Sequence, residues 1–260
     1  MDIIAFDIRG KMAHFRKYYA NNTAFSYSLP PRTTVTGMLA GMLGMARDSY
    51  HEAFALDKIR IGVRILNPVK KSFHRVNFLR IESLGDVAKD NLGDFTGRDG
   101  RIQTPFEIIS GFDLGQDWVT YRIYLSCYDA GRELFERLQN QLLTKRKHYN
   151  LCLGTANFSA EIQNVQTHYA GTLPKGEWVA VHTAVAVSEI LRLDSDKIKE
   201  ARLEEELLPL EFTKNGSREL KTIHRFLFST NGQPLYAQFK CPIFRIVEQQ
   251  QPINFLFLEK

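Results

Sequence analysis

The sequence predicts an α+β fold of ferredoxin-like type, the βαββαβ plan shared with RNA-recognition motifs. Three observations carry it. Apolar alternation marks strands at 2–9, 58–66 and 118–128, and another strand is expected at 158–166. Helical patterns follow Pro30-Pro31 and Asp129. Between the second and third of these strands lies a Gly-rich segment, 69–116, too long for a plain loop in a compact domain.

Taken in order, Asp2 to Arg9 places Ile4, Phe6 and Ile8 on one face and reads as a half-buried strand. A polar aromatic loop follows, from Gly10 to Leu29. Pro31 suits the first turn of a helix, where its missing N–H costs nothing, and Thr33 or Thr34 is the expected cap. This helix carries Met38, Leu39, Met42, Leu43 and Met45 inward and is expected to end near Arg47. Glycines 37, 41 and 44 lie roughly on one side of it, and each costs about 1 kcal/mol against Ala in a helix interior. Close helix packing accounts for Gly41 and Gly44; Gly37 is assigned to function.

Lys58 to Leu66 is a strand with Ile59, Ile61, Val63 and Ile65 inward. Within 69–116 a strand is expected at 72–81, and the whole is read as a projecting hairpin bearing Lys89, Arg98 and Arg101. Trp118 to Tyr128 is aromatic and β-branched. Leu134, Leu138 and Leu142 then recur at helical spacing. Lys145, Arg146, Lys147 and His148 form a basic cluster ahead of Leu153-Gly154. This ferredoxin-like RNA-binding domain is placed at 1–170, with a small β-rich appendage at 171–260. There, 178–187 is strand-like and 196–207 reads as a charged amphipathic helix. Segments 224–228 and 235–239 read as a hairpin through Asn231-Gly232, and 242–247 with 254–258 as a second pair.

Bulk properties narrow the function. The chain has 260 residues, 44% hydrophobic, with a net charge of +5. Residues 1–150 hold 22 basic and 16 acidic residues, a net of +6, while 151–260 hold 12 and 13, a net of −1. That asymmetry points to a polyanion for the first part. Three scattered cysteines (127, 152, 241) and no CxxC argue against disulfides and zinc. No apolar run reaches the roughly 18 residues of a spanning helix. No secretory signal is read at the start, so a cytoplasmic protein without membrane, metal or cofactor is expected.

Catalytic motifs are sparse. GxxxxGK[ST], HExxH and GxSxG are absent, as is the aromatic octamer with which RNA-recognition motifs stack bases on their sheet. One set suits chemistry. His148 could move the proton of a ribose 2′-OH while Lys147 steadies the phosphate, with Tyr18, Tyr19 or His14 nearby. The alternative is that the cluster only grips phosphate.

The stretch AHFRKYY…SYSLPPRTTVTGMLAGMLG, matched by Ala13 to Lys17, Pro30 to Val35, Gly37, Leu39, Leu43 and Gly44, resembles the N-terminal signature of the CRISPR-associated Cas-five family. LGTANFSAEI, residues 153–162, is similar to that family's Gly-containing segment before its last strand. The form looks closest to the type I-B branch. The resemblance implies a subunit of a Cascade interference complex that holds the 5′ handle of the CRISPR RNA. Its partners would be that RNA, a Cas-seven family backbone subunit met by the hairpin as a thumb, the large subunit, and target DNA near the complex. The RNA-binding residues expected are His14, Phe15, Arg16, Lys17 and Tyr18 in the loop, and Arg32, Thr33, Thr34 and Gly37 on the helix. Lys145, Arg146, Lys147 and His148 would close the other side. No catalytic residue is assigned. In the type I-C branch a Tyr/Lys/His set instead cuts precursor RNA, which keeps metal-independent endoribonuclease activity as the alternative.

Overall fold

The computed structural model describes residues 1–20, 23–79, 100–213 and 219–259. The chain opens with β1 (Asp2–Gly10), the short β2 (Met12–Ala13), β3 (Phe15–Arg16) and β4 (Ser26–Tyr27), then helix α1 (Arg32–Met42). Next come β5 (Ile59–Ile65), β6 (Lys70–Leu79), β7 (Arg101–Ser110), β8 (Val119–Cys127) and helix α2 (Arg132–Leu143). β9 (Leu151–Cys152) and β10 (Ser159–Tyr169) complete a five-stranded antiparallel sheet in the order β5-β8-β1-β10-β9. β5 and β8 flank an inserted hairpin, because β6 pairs β7 along its length from Lys70↔Ser110 to Leu79↔Arg101. The fold is mixed α+β, mostly antiparallel strands with few helices. Lys89 and Arg98 lie outside the described residues.

β1 is buried on both faces, not one. Ile4, Phe6 and Ile8 pack with α1 and α2 residues such as Leu39, Met42, Leu138 and Leu142. Ile3 and Ala5 pack on the opposite side with Tyr124, Ile246, Ile253 and Phe255. Tyr124 belongs to β8, and the last three come from a C-terminal sheet formed by β11 (Gly171–Leu173), β18 (Ile243–Glu248) and β19 (Gln251–Phe255). Phe255 stacks on Tyr124 with ring centroids 4.6 Å apart, and Arg122 pairs with Asp7 at 2.7 and 3.0 Å and with Glu248. The sheet face opposite the helices is therefore covered.

β12 (Val179–Val181), β17 (Leu235–Phe239) and β14 (Ile190–Leu193) make a further sheet; β13 (Val185–Ala186), β16 (Leu220–Ser229) and β15 (Leu203–Phe212) make another. Two expectations are corrected here. The segment 196–207 is not a helix: β15 begins at Leu203 and pairs with β16. Glu204 and Glu206 face lysines, Glu205 faces outward to Arg225, and Glu206, Leu208 and Leu210 are buried at a period of two. The strands around Asn231-Gly232 do not pair with each other, since β16 joins β13 and β15 whereas β17 joins β12 and β14. The Asn231 side chain instead binds the 200–202 loop, accepting from the Arg202 amide at 3.0 Å and donating to the Glu200 carbonyl at 2.7 Å. β18 does pair with β19, but the partner strand runs earlier than expected: of 254–258 only Asn254 and Phe255 take part, with Gln251 to Ile253 supplying the rest.

The C-terminal sheets share one core with the first part. Ala184, Leu208, Phe226 and Leu258 belong to the same cluster as Ile4 and Leu39. The Ala184 amide donates to Val63, and the Leu258 amide donates to Ile61, along the free edge of β5. Arg32 locks this arrangement. Its guanidinium, 2% exposed, pairs with Glu259 and donates to the carbonyls of Phe54 (2.7 Å), Ile59 (2.9 Å) and Leu210 (3.2 Å). The other Glu259 oxygen accepts the Ile61 amide at 2.8 Å. The expectation that Arg32 grips phosphate is corrected: its donors are spent inside the protein.

Two outcomes follow from these buried groups. Arg32→Ala strands Glu259 as an unpaired buried carboxylate and should cost about 3–5 kcal/mol by denaturant unfolding. Burial, with Arg64 nearby, lowers the His182 pKa to about 4, and burial also holds His14 below the ordinary value. The unfolded chain then binds protons near pH 6.5 that the folded chain refuses. Stability should fall as pH drops from 6.5 toward 4, by up to about 1.4 kcal/mol per pH unit for each histidine. Thermal scans of His182→Asn should show a shallower acid slope.

Candidate functional site

The site forms where the first loop, the inserted hairpin, the start of α1 and the Gly154 turn converge. A groove of 920 Å³ is lined by His14, Arg16 and Thr34 on one side and by Phe78, Ile102, Thr104 and Phe106 of the hairpin on the other, with Gly154 and Thr155 at the end. Thr34 and Gly154 also line a second space of 350 Å³, which runs past Thr33, Gly37, Gly41, Tyr50 and Asn150 to Leu151. Leu151 in turn borders a smaller space with Lys145, Arg146 and Lys147. The three spaces are neighbours: the first two share Thr34 and Gly154, and the second and third share the buried Leu151.

Local chemistry shapes the path. α1 is capped by Pro31, with Thr33 and Thr34 inside its first turn, not by either threonine. It ends at Leu43-Gly44, earlier than Arg47, because Gly44 takes φ +73°. Glycines 37, 41 and 44 fall at i, i+4 and i+7 and so share a face. A Cβ at Gly37 would lie 3.1 Å from the Tyr50 hydroxyl, and one at Gly44 would lie 2.8 Å from the His148 ring. At Gly41 a Cβ would meet nothing within 4 Å. Gly41, assigned to packing from sequence, is the open floor between two side chains. Gly154 takes φ +95°, and a Cβ there would overlap the His14 carbonyl oxygen. Only glycine lets this turn close on the first loop, where the His14 amide donates to Leu153 at 3.0 Å.

The loop residues divide. Arg16 is exposed, with one guanidinium nitrogen on the Ala20 carbonyl at 3.1 Å. Tyr18 and Tyr19 are exposed and meet edge to face at 5.1 Å. Phe15 points into the core against Tyr121, which leaves no ring face for a base. Lys17 is held by both oxygens of Glu206 at 2.6 and 2.8 Å. His14 is buried; its ring stacks on Phe106 at 3.9 Å, and Nδ1 lies 2.7 Å from the Glu107 carbonyl. A carbonyl only accepts, so Nδ1 carries the proton and Nε2 is the acceptor of the neutral ring. Lys145, Arg146, Lys147 and His148 are all exposed, and Lys145 takes φ +52° where the helix ends. Phe15, Lys17 and Arg32 thus serve structure. Arg16, Tyr18, Thr33, Thr34, Gly37 and the basic loop remain on or beside the path.

Sequence reasoning missed Tyr50, Asn150, Thr155, Phe78, Thr104 and Phe106. Tyr50 sits in an irregular segment without periodicity, and the hairpin residues alternate toward the groove only once register is known. Among the described residues, no group of three or more His, Cys, Asp or Glu is placed to hold a metal, and no helix is long and apolar enough to cross a membrane.

The geometry defines a class: an antiparallel α+β protein with an inserted hairpin and a groove along its first helix. Residues 3–175 match the family model described as CRISPR-associated protein (Cas_Cas5). The chain belongs to this CRISPR-associated family, and the fold agrees. A CRISPR protein from Archaeoglobus fulgidus superposes with a TM-score of 0.55 at 15% identity, covering 98% of this chain and 99% of that one. A chain of a CRISPR RNA-guided surveillance complex aligns at 14% identity over 90% of this chain and 91% of its own, with a TM-score of 0.45, too loose to add to the fold. No curated protein sequence matches.

The two glycines should respond in opposite senses. Gly41→Ala gains helix propensity in open space and should stabilise by about 1 kcal/mol. Gly154→Ala must shift the first loop and leave its backbone well, and should cost at least about 2 kcal/mol. Chemical denaturation of both variants checks this.

Proposed function

We propose that this protein is the CRISPR RNA-holding subunit of a type I Cascade interference complex, gripping the 5′ handle in the groove along α1. The observation that carries the reading is the row of neighbouring spaces beside α1 with exposed cations at both ends, Arg16 at one and Lys145 to Lys147 at the other. A short single strand needs phosphate neutralisation spaced along a channel and surfaces for unstacked bases. Arg16 and the basic loop supply the first, and Tyr18 and Phe78 supply the second. Thr33 and Thr34 offer hydroxyls at the midpoint, near the positive end of the α1 dipole. The open floor at Gly41 lets a sugar–phosphate chain approach the helix backbone.

On this reading the main sheet is a ferredoxin-like unit within a domain at 1–170, carrying the β6–β7 hairpin as a thumb. Arg101 and the hairpin's outer part would meet a Cas-seven family backbone subunit. Residues 171–260 and the remaining surface would face the large subunit and target DNA. The covered sheet face accounts for why RNA would run along the helix side instead.

A second reading, metal-independent cleavage of precursor RNA, draws on Tyr50 and His148. They lie against Gly37 and Gly44 on one face of α1, two turns or about 10 Å apart. His148 would take the 2′-OH proton as that oxygen bonds to phosphorus and return it to the 5′-oxygen as the P–5′-O bond breaks, Lys147 would steady the phosphate, and Tyr50 would hold a neighbouring nucleotide. Incubating pure protein with repeat RNA in EDTA separates the two: holding predicts intact RNA, whereas cleavage lost in His148→Ala would establish the second reading.

Gly41→Leu should fold as wild type yet bind handle RNA at least tenfold more weakly, and Arg16→Glu should lose RNA binding and complex assembly. Folded variants that both bind and assemble as wild type would overturn the proposal.

A further inference from the structure

The groove's opening depends on how the hairpin stands on the body. β6 and β7 are ten residues each, so the paired arm extends about 30 Å. It is anchored near its base. β2 pairs with the end of β7 at Ser110 and Ile109. Ala24 bridges Phe106, and the Ser26 amide donates to the Glu107 carboxylate at 2.7 Å. Neither set of contacts reaches the C-terminal sheets.

A third anchor does. Glu204 and Glu206 are two residues apart on β15 and so share a face. Lys71, at the foot of β6, donates to Glu204 and to Glu206, the latter at 3.2 Å. Lys17, from the first loop, donates to both Glu206 oxygens, and the Ser28 hydroxyl donates to Glu204 at 2.5 Å. The Tyr121 hydroxyl in turn donates to the Ser28 carbonyl at 2.8 Å, which ties the cluster to the main sheet. Side-chain exposures of 7% for Glu206, 14% for Lys17, 23% for Lys71 and 26% for Glu204 place these charges largely out of water. There a charged pair holds geometry far better than at an open surface.

We infer that Glu204 and Glu206 are positioning residues of the groove, a two-carboxylate clamp by which the C-terminal strand β15 fixes the hairpin's angle and the first loop together. This rests on the groove reading for its effect on RNA, but the mechanical part stands on the free protein. Lys17 then acts through Glu206 and makes no phosphate contact. The clamp also assigns a role to β15, which lies beyond residues 3–175.

The experiment has two arms on the full chain. In the first, hydrogen exchange of free E204Q/E206Q should show at least tenfold faster exchange for β6 and β7 amides, with β1 and β8 unchanged. Unchanged hairpin exchange overturns the clamp. If that variant fails to fold, Lys71→Met, which leaves the Lys17–Glu206 pair intact, takes its place with the same expected result. The second arm measures binding of a handle RNA oligonucleotide against salt. Lys17→Met should weaken binding with the slope of log K against log salt unchanged. A slope smaller by about 0.7, one lost phosphate contact on a single strand, would show Lys17 on the RNA and contradict the assignment. Failure of the wild-type protein to bind RNA would sink the proposed function while the exchange arm still decides the clamp.

Discussion

The arrangement turns on one buried ion pair. Arg32 opens α1, Glu259 lies at the chain's far end, and their pairing draws α1, the 54–59 segment, β5 and β15 to one point. A buried pair of this kind is poor evidence of net stability, since removing two charges from water offsets most of their attraction. What it fixes is placement. With all three guanidinium nitrogens bonded to a carboxylate or backbone carbonyls, α1 has one seat on the sheet, and its glycine face has one outlook. A hydrophobic contact at the same place would tolerate sliding.

That placement explains where the groove lies. In an open sheet of this order the face away from the helices would be available to a ligand. Here Phe255 on Tyr124, together with the Asp7–Arg122–Glu248 network, closes it. The space left open runs along the helix side, between α1, the hairpin and the Gly154 turn. The C-terminal chain seals one face, and its strands share their core with the N-terminal sheet, while the groove itself is lined by residues of the first part.

Much of the fold was legible because its signals are local. The strands read at 2–9, 58–66 and 118–128 and the leucine spacing of α2 survive in the structure, though β1 is buried on both faces. Pro31 and the length of 69–116 also mark real boundaries, whereas Gly44, assigned to packing from sequence, is where the helix stops. The failures share a cause: a residue type was read without its partner. Glu204 and Glu206 resemble the wet face of a helix until Lys17 and Lys71 are seen opposite them. Asn231-Gly232 carries hairpin chemistry, but the Asn side chain is spent on Arg202 and Glu200. Arg32 and Lys17 are as basic as Arg16 and Lys147, and only tertiary contacts show that the first pair is internal. Gly41 could not be told from Gly44 by spacing, because what distinguishes them is the neighbour each lacks or has.

The central claim is that a single-stranded RNA lies along α1 and not across the sheet or the C-terminal strands. Photocrosslinking tests it most directly, using a handle RNA with a photoreactive base at each position in turn and mapping the attached peptides. The account predicts attachment within 14–18, 33–50, 102–106 and 145–155, in an order that follows the strand along the groove. Crosslinks concentrated in 203–258, or on the sheet residues around Tyr124, would contradict it.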